Sequence, residues 1–141
     1  MNDSEITVDI NAPISRVWET VVDIERWPEW TATVSRATIR GGGPLGPDSK
    51  VKVFRPKFPS AVWTVTTFEP EKFLELRTGY PGMRVIASRT LVPRGAGCIL
   101  TLSLAFKGLF AGWVRQRTRE RSSRYLATVA AAIKRRCESK A

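Results

Sequence analysis

The strongest constraint on the fold is a long C-terminal segment without a helix breaker. Residues 109–138 contain no proline, and no glycine follows Gly112 within them. An uninterrupted run of this kind is typical of one long helix. The chain ahead of it is built differently, from alternating apolar and polar residues separated by short turns rich in glycine and proline. Those alternating runs predict β-strands, at about 50–55, 61–69, 73–78, 83–92 and 97–106.

The N-terminal part of the chain predicts a strand followed by two short helices. Residues 4–11 alternate in polarity, and Pro13 then favours a helix over 13–22, because a proline is tolerated in the first turn of a helix. Asp23 can cap a second short helical segment, which Pro28 interrupts.

A strand over 32–40 and a glycine-rich turn over 41–48 complete the expected elements. The turn is not a phosphate-binding loop, because no lysine follows at the required spacing. Since the loops between the strands are short, the seven strands should form one antiparallel sheet. Such a sheet must cover its apolar face, and the long helix is the element available to do so. We therefore expect an α+β fold in a single domain over 1–141.

The absence of histidine limits the chemistry of this chain more than any other compositional feature. Without histidine there is no side chain that readily exchanges protons near neutral pH, no Ser-His or Cys-His pair and no histidine-based zinc site. Cys98 and Cys137 lie far apart and are expected to be free thiols in a reducing cytoplasm. The start, Met1–Glu5, is acidic and unlike a secretory signal. We therefore expect a cytoplasmic protein with no metal and no cofactor.

Three motifs together resemble one known family. Ile10-Asn11-Ala12-Pro13 leads within the stretch 10–30 into Trp27-Pro28-Glu29-Trp30, and Leu45-Gly46-Pro47 and Phe68-Glu69-Pro70 follow later. In this layout the chain resembles the polyketide cyclase/dehydrase and lipid-transport family, part of the START-like superfamily that includes the birch-pollen allergen. The resemblance covers nearly the whole chain. It implies a helix-grip fold, in which a cavity for an apolar ligand lies between the sheet and the C-terminal helix.

Strand alternation nominates side chains for the sheet side of such a cavity. Trp63 and Val65 share a face of their strand with Thr67, and Leu102 lies on the apolar face of its own strand. Alternation does not decide which face of the strand over 83–92 points inward. The family pattern implies that the face with Arg89 does. A buried arginine needs a partner, and the candidates are an acidic ligand group or an internal acid such as Glu75. The alternative is that the charged head of this arginine reaches solvent at the sheet edge.

The long helix should contribute the opposite wall, and Trp30 is a further candidate contact from the tryptophan corner. Trp18 and Trp27 are interpreted as structural. The hydroxyl groups on the inner helix face either contact a ligand or bond back to helix carbonyls. The inner helix face is predicted from residues at helical spacing: Val114, Thr118, Ser122, Tyr125, Val129 and Ile133. The predicted ligand-binding residues are Trp30, Trp63, Val65, Arg89, Leu102, Val114, Thr118, Ser122 and Tyr125.

The sequence supports three functions of different classes. Binding or carriage of a lipid- or polyketide-like molecule demands least of the residues. A polyketide aromatase/cyclase or dehydrase would act by orienting a reactive chain, with Arg89 and Tyr125 as its only candidate residues. The third function uses the net charge of +10 and the arginine-rich run over 115–124 to contact an acidic membrane, a carrier protein or nucleic acid. No motif for specific nucleic-acid recognition is present, and both a monomer and a homodimer remain open.

Overall fold

Seven strands form one antiparallel sheet. The computed structural model describes residues 4–56 and 60–139. Met1 to Asp3, which are part of the acidic start, lie outside these ranges. The sheet order is β1-β7-β6-β5-β4-β3-β2, with β1 and β2 at open edges. The strands are β1 (Ser4–Ile10), β2 (Arg36–Ile39), β3 (Lys50–Phe54), β4 (Ala61–Glu69), β5 (Phe73–Tyr80), β6 (Met83–Arg94) and β7 (Gly97–Lys107).

Three helices accompany the sheet in the described ranges, and the longest of them comes last in the chain. Helix α1 (Ile14–Val22) follows β1, and a short 3₁₀ helix (Ile24–Glu29) follows α1 directly. Helix α2 (Ala111–Glu138) ends the described chain and packs against β1, β7 and α1. This arrangement confirms the predicted α+β helix-grip fold. No helix in the described ranges is both long and apolar enough to cross a bilayer.

The register of the sheet decides which side chains face α2. Arg89 in β6 lies opposite Leu102 in β7, and Val85 lies opposite Phe106. Leu102 is almost fully buried in the main core. Because side chains alternate along a strand, Arg89 therefore shares the inner, apolar face of the sheet with these residues. Strand pairing thus identifies the inward face of β6, which alternation alone did not decide.

A β-bulge in β4 changes the face of the residues that follow it. The register shifts between Val65 and Thr67, so that Phe68 pairs with Leu74. The ring of Phe68 packs edge-on against Trp18, with ring centroids 5.5 Å apart. Thr67 lies opposite Glu75 and faces outward, so the prediction that it shares a face with Trp63 was wrong. One extra residue in a strand reverses the inward set, and the polarity pattern does not reveal it.

Two local expectations near the 3₁₀ helix also differ from the structure. Asp23 makes no side-chain cap and instead lies 3.5 Å from Arg26 in an exposed ion pair. The strand expected over 32–40 is shorter, because β2 covers only Arg36–Ile39. Ser35 still donates its backbone N–H to the Phe54 carbonyl at 2.8 Å. Pairing with β3 thus begins one residue ahead of the strand proper.

The C-terminal end of α2 is fastened to the end of β1 by a polar cluster, which we call the clasp (Asp9, Asn11, Lys134 and Glu138). Lys134 Nζ donates to the Asp9 carbonyl oxygen at 2.6 Å and lies 2.7 Å from Glu138 Oε2. The backbone N–H of Asn11 donates to the same carboxylate at 2.7 Å. The clasp holds the long helix against the first strand, and thereby fixes one end of the space between helix and sheet.

Candidate functional site

A cavity of about 290 Å³ lies between the inner face of the sheet and helix α2. Its walls are mainly apolar, because the inward residues of five strands and of the 3₁₀ helix converge on it. Aliphatic and aromatic wall residues include Ile24, Val51, Trp63, Leu76, Val85 and Phe106. Polar groups interrupt this lining at only a few places. Their position and chemistry therefore decide what the cavity can hold.

Most of the predicted ligand-binding residues line this cavity. The sheet and the helix both contribute to the set, which consists of Trp63, Arg89, Leu102, Thr118, Ser122 and Tyr125. Val65 is fully buried in the core instead, and Val114 packs at the edge of a small second cluster. Trp30 lies beside a separate void of about 10 Å³. Ligand contact by any of these residues stays a prediction.

Trp27 holds a place in the cavity that the sequence did not suggest. Its indole Nε1 is buried and has no hydrogen-bond partner among the described residues. The ring lines the cavity, whereas its neighbour Trp30 packs edge-on against it at 6.3 Å between centroids. A buried N–H without an acceptor is costly to stability. From the sequence, Trp30 was the candidate contact and Trp27 was interpreted as structural, whereas the structure places Trp27 in the cavity wall and Trp30 beside the small separate void.

Arg89 is the most unusual side chain of the cavity. It is only 9% exposed, and no ion pair or hydrogen bond joins it to another residue in the described ranges. Its guanidinium carbon lies 5.0 Å from the centroid of the Trp27 ring, a cation–π contact. Burial lowers the pKa of the Arg89 guanidinium, and the nearby Tyr125 phenol partly offsets this effect. An arginine remains charged under such conditions, so the cavity holds a buried cation without an anion.

The hydroxyl groups on α2 behave in two different ways. The Thr118 hydroxyl donates to the Val114 carbonyl at 2.7 Å, which is the back-bonded alternative considered from the sequence. Ser122 is buried beside the cavity, and no hydrogen bond of its hydroxyl is found within the described chain. Tyr125 presents its ring to the guanidinium of Arg55, whose carbon lies 4.8 Å from the ring centroid. The Ser122 hydroxyl therefore lies at the cavity wall without a back-bond to the helix, unlike that of Thr118.

The charges around the cavity are all of one sign. Arg55, Arg89 and Arg121 line it, and no aspartate or glutamate is among the described lining residues. Arg55 and Arg121 were not predicted, because neither a strand end nor an arginine-rich helix distinguishes an inward arginine from a solvated one. Guanidinium and indole groups donate hydrogen bonds and accept none. The cavity is thus suited to an apolar body that carries a carboxylate, phenolate, enolate or carbonyl oxygen.

Comparison with known families supports the resemblance seen in the sequence. The family described as polyketide cyclase/dehydrase and lipid transport matches residues 1–138. The chain belongs to this family. The match spans β1 through the end of α2, and so includes every wall of the cavity. A search of curated proteins by sequence finds no match.

Solved structures similar to this family member share its fold at low sequence identity. The di-domain ARO/CYC StfQ of the steffimycin biosynthetic pathway is 11% identical, with a TM-score of 0.75 over 96% of this chain and 50% of that chain. A START superfamily protein from Mycobacterium smegmatis is 17% identical, with a TM-score of 0.70 over 97% of both chains. Norcoclaurine synthase from Thalictrum flavum, in complex with dopamine and hydroxybenzaldehyde, is 14% identical, with a TM-score of 0.74 over 97% of this chain and 86% of that one.

These similarities establish the fold. The chain spans 46% and 50% of two of the biosynthetic proteins it matches, the second being StfQ. What those longer proteins do is therefore not carried over to this family member. Its function has to be argued from the residues of its own cavity.

Proposed function

We propose that this protein binds an apolar small molecule, lipid- or polyketide-like, whose acidic or carbonyl oxygen lies against Arg89. The observation that carries the proposal is a buried guanidinium on an apolar wall with no anionic partner in the described chain. A desolvated charge without a partner is unfavourable. An anionic ligand would supply the missing partner, while the apolar walls would bind the rest of the molecule.

The surroundings of Arg89 support one orientation of such a ligand. The guanidinium lies on the Trp27 ring, and the unpaired indole N–H of Trp27 belongs to the same cavity wall. An acceptor atom at this wall would receive hydrogen bonds from the Arg89 guanidinium, next to the Trp27 ring. Ser122 and Tyr125 lie on the helix side of the cavity. The polar end of the ligand would thus lie toward the 3₁₀ helix, and its apolar body would extend along the strands.

A pair of probes that differ only in charge tests this role. We expect 2-naphthoate to bind the wild-type protein more tightly than its neutral methyl ester. Arg89→Met should weaken naphthoate binding by about 2–5 kcal/mol, because it removes one partner of a desolvated charge pair, and should change ester binding little. Both affinities can be measured by titration calorimetry or by ligand fluorescence, in the absence of lipid.

Arg124→Met is the matched control, because it removes the same charge from an exposed part of α2. The control should leave the affinity for both probes unchanged. Equal losses for the acid and the ester in Arg89→Met would contradict a charge-specific role. So would equal affinities of the wild-type protein for the two probes. Native mass spectrometry of protein purified from its own host would then identify the natural ligand.

A second candidate function is an aromatase/cyclase or dehydrase reaction on a polyketide-like chain. The specific observation is that Arg89 and Tyr125 face the same cavity and influence each other electrostatically. A guanidinium can stabilise an enolate oxygen, and a phenol can donate a proton to it, while the apolar walls hold the chain in a folded conformation.

This second function predicts turnover that depends on both side chains. With a linear poly-β-ketone mimic, the wild-type protein should give one cyclised product faster than the spontaneous reaction. Tyr125→Phe should slow formation of that product while leaving naphthoate binding nearly intact. A product distribution identical to the spontaneous one would exclude cyclase activity and leave the binding role standing.

A further inference from the structure

Three large apolar side chains are exposed together where β7 passes into α2. Leu109 is 90% exposed, Phe110 57% and Trp113 64%. We call these residues the apolar tip. Single exposed apolar residues are common on protein surfaces, but a group within one helical turn marks an interaction site. None of them lines the cavity described above.

The backbone beneath the apolar tip is built to hold it in place. Gly108 has a φ of +116°, and a Cβ there would lie 2.6 Å from the carbonyl oxygen of Gly82. A Cβ on Gly82, whose φ is +79°, would lie 2.5 Å from the ring of Phe110. The N–H of Phe110 donates to the Gly82 carbonyl at 3.2 Å. The tip is thus a fixed, convex projection that rests on the β5–β6 turn.

The two chain segments that meet at the apolar tip carry only basic charged side chains. The β5–β6 turn and the start of α2, residues 79–84 and 107–119, contain Arg84, Lys107, Arg115, Arg117 and Arg119 and no aspartate or glutamate. The guanidinium carbon of Arg117 lies 5.2 Å from the centroid of the Trp113 ring. Cations near the N-terminus of a helix oppose its macrodipole, and α2 has neither an acidic residue in its first turn nor a side-chain cap. This local cost is offset if the surface that the helix end meets is anionic.

We propose that the apolar tip docks this protein on an anionic lipid surface. Leucine and aromatic side chains that project from a basic surface match the layered chemistry of a bilayer, with acyl chains below and acidic headgroups above. A convex tip needs no complementary groove in a deformable lipid surface. Pairing with a second copy through the same face would bring two sets of like charges together, which is unfavourable. Lipid is therefore the occupant that both the shape and the charge favour.

The position of the apolar tip links docking to the cavity. Phe106 and Met83 line the cavity, and they lie next to the Gly82–Gly108 contact that supports the tip. Docking would place this end of the cavity against the lipid surface. An apolar ligand could then pass between membrane and cavity with little exposure to water. The docking itself does not depend on the proposed ligand, since it uses other residues.

Flotation with lipid vesicles tests the proposal on the 141-residue chain. We expect it to bind vesicles made of equal parts phosphatidylcholine and phosphatidylglycerol, and to bind pure phosphatidylcholine weakly. Leu109→Ser and Trp113→Ser should each weaken binding by about tenfold, because each removes the burial of one large apolar side chain. Lys107→Gln or Arg84→Gln should weaken binding by about fivefold, and only on the anionic vesicles.

Matched variants separate docking from general effects of mutation. Val92→Ser replaces another exposed apolar side chain, 51% exposed and at the other end of β6, and should leave vesicle binding unchanged. Trp113→Phe should retain binding but lose most of the blue shift in tryptophan fluorescence that vesicles induce. Circular dichroism confirms that each variant is folded.

Three results would overturn the proposal. One is the absence of wild-type binding to anionic vesicles at low salt. Another is equal binding by the wild-type protein and the double variant Leu109→Ser/Trp113→Ser. The third is a lipid-free homodimer that the same double variant dissociates, since a protein surface would then cover the tip. Naphthoate titration without vesicles reports separately on the ligand site, so failure of one proposal is distinguishable from failure of the other.

Discussion

Arg89 and Trp27 illustrate how much of the site depends on single residues. Alternation along β6 allowed Arg89 to point either way, and pairing with Leu102 places it on the inner face. Trp27 was interpreted as structural and Trp30 as the candidate contact, although the local sequence does not show which of the two rings turns toward the cavity. The difference arises from the tight 3₁₀ turn, which directs one ring into the cavity and leaves the other at its margin. Such a turn changes side-chain direction from one residue to the next, and polarity patterns do not resolve it.

Trp18 provides a stability prediction at the same scale. It is buried on the inner face of α1, and its ring contacts Phe68. Trp18→Ala should lower the free energy of unfolding by about 3–5 kcal/mol, because it leaves a cavity in the core. Chemical denaturation measures this loss. The matched control is Trp113→Ala on the exposed tip, with an expected change within about 0.5 kcal/mol. Similar losses in the two variants would show that Trp18 does not support the core.

At the scale of elements, the sequence predicted the type and order of every helix and strand in the described ranges. The sequence marks these elements clearly, because α2 contains no proline and most strands end next to a glycine or a proline. The errors lie where the register departs from strict alternation. The bulge between Val65 and Thr67 reversed the orientation of the side chains at the end of β4. The length of β2 was overestimated because the alternation of apolar and polar residues already begins at Ala32. Helix ends depend on local hydrogen bonds, so α2 begins at Ala111 rather than at 109.

The clasp between α2 and β1 predicts a pH-dependent stability. The hydrogen bonds from Lys134 and from the Asn11 backbone lower the pKa of Glu138. A lowered pKa in the folded protein means that the stabilising contribution is fully present above the unfolded pKa of about 4.3. It is lost as the pH falls through the lower folded value. Glu138→Gln should therefore lower the melting temperature at neutral pH and have a vanishing effect in strong acid.

Glu120→Gln is the matched control for the clasp. Glu120 pairs with Arg124 on the same helix at the same four-residue spacing, 3.6 Å apart and exposed to solvent. Its replacement should change the melting temperature little at any pH, since exposed ion pairs contribute little. Melting curves of both variants and the wild-type protein between acid and neutral pH make the comparison. A Glu138→Gln effect that is constant across this range would exclude the ionised carboxylate as its cause.

The whole molecule carries a net charge of +10, which predicts how its stability responds to salt. Repulsion among like charges opposes the compact state, and salt screens it. The melting temperature should therefore rise as sodium chloride is added, before specific salt effects dominate. Differential scanning calorimetry across a salt series measures this trend. A melting temperature that falls from the lowest salt concentration onward would mean that the native ion pairs outweigh the repulsion.

The fold of the whole molecule was predictable, whereas its ligand was not. Hydrophobic alternation, turn residues and the family resemblance together specified a sheet that wraps a helix. A cavity, in contrast, is a difference between two packed surfaces. The volume left between residues such as Trp63 and Ser122 depends on the curvature of the sheet and on the exact position of α2. Neither is encoded in a local sequence pattern, so the probe experiments, and not the sequence, identify the kind of ligand that the cavity binds.

The pairing of β1 with β7 has a consequence for how the chain is made. Ser4 pairs with Leu104 and Ile10 with Cys98, so β1 is made more than 80 residues ahead of its partner strand β7. At typical elongation rates this delay is roughly 5–20 seconds. During that time the apolar side chains of β1 have no sheet to join, and helix α2, which packs on β1, has not yet been made. The β1 edge of the sheet can therefore form only after β7 has been made, and the contact of β1 with α2 only after that.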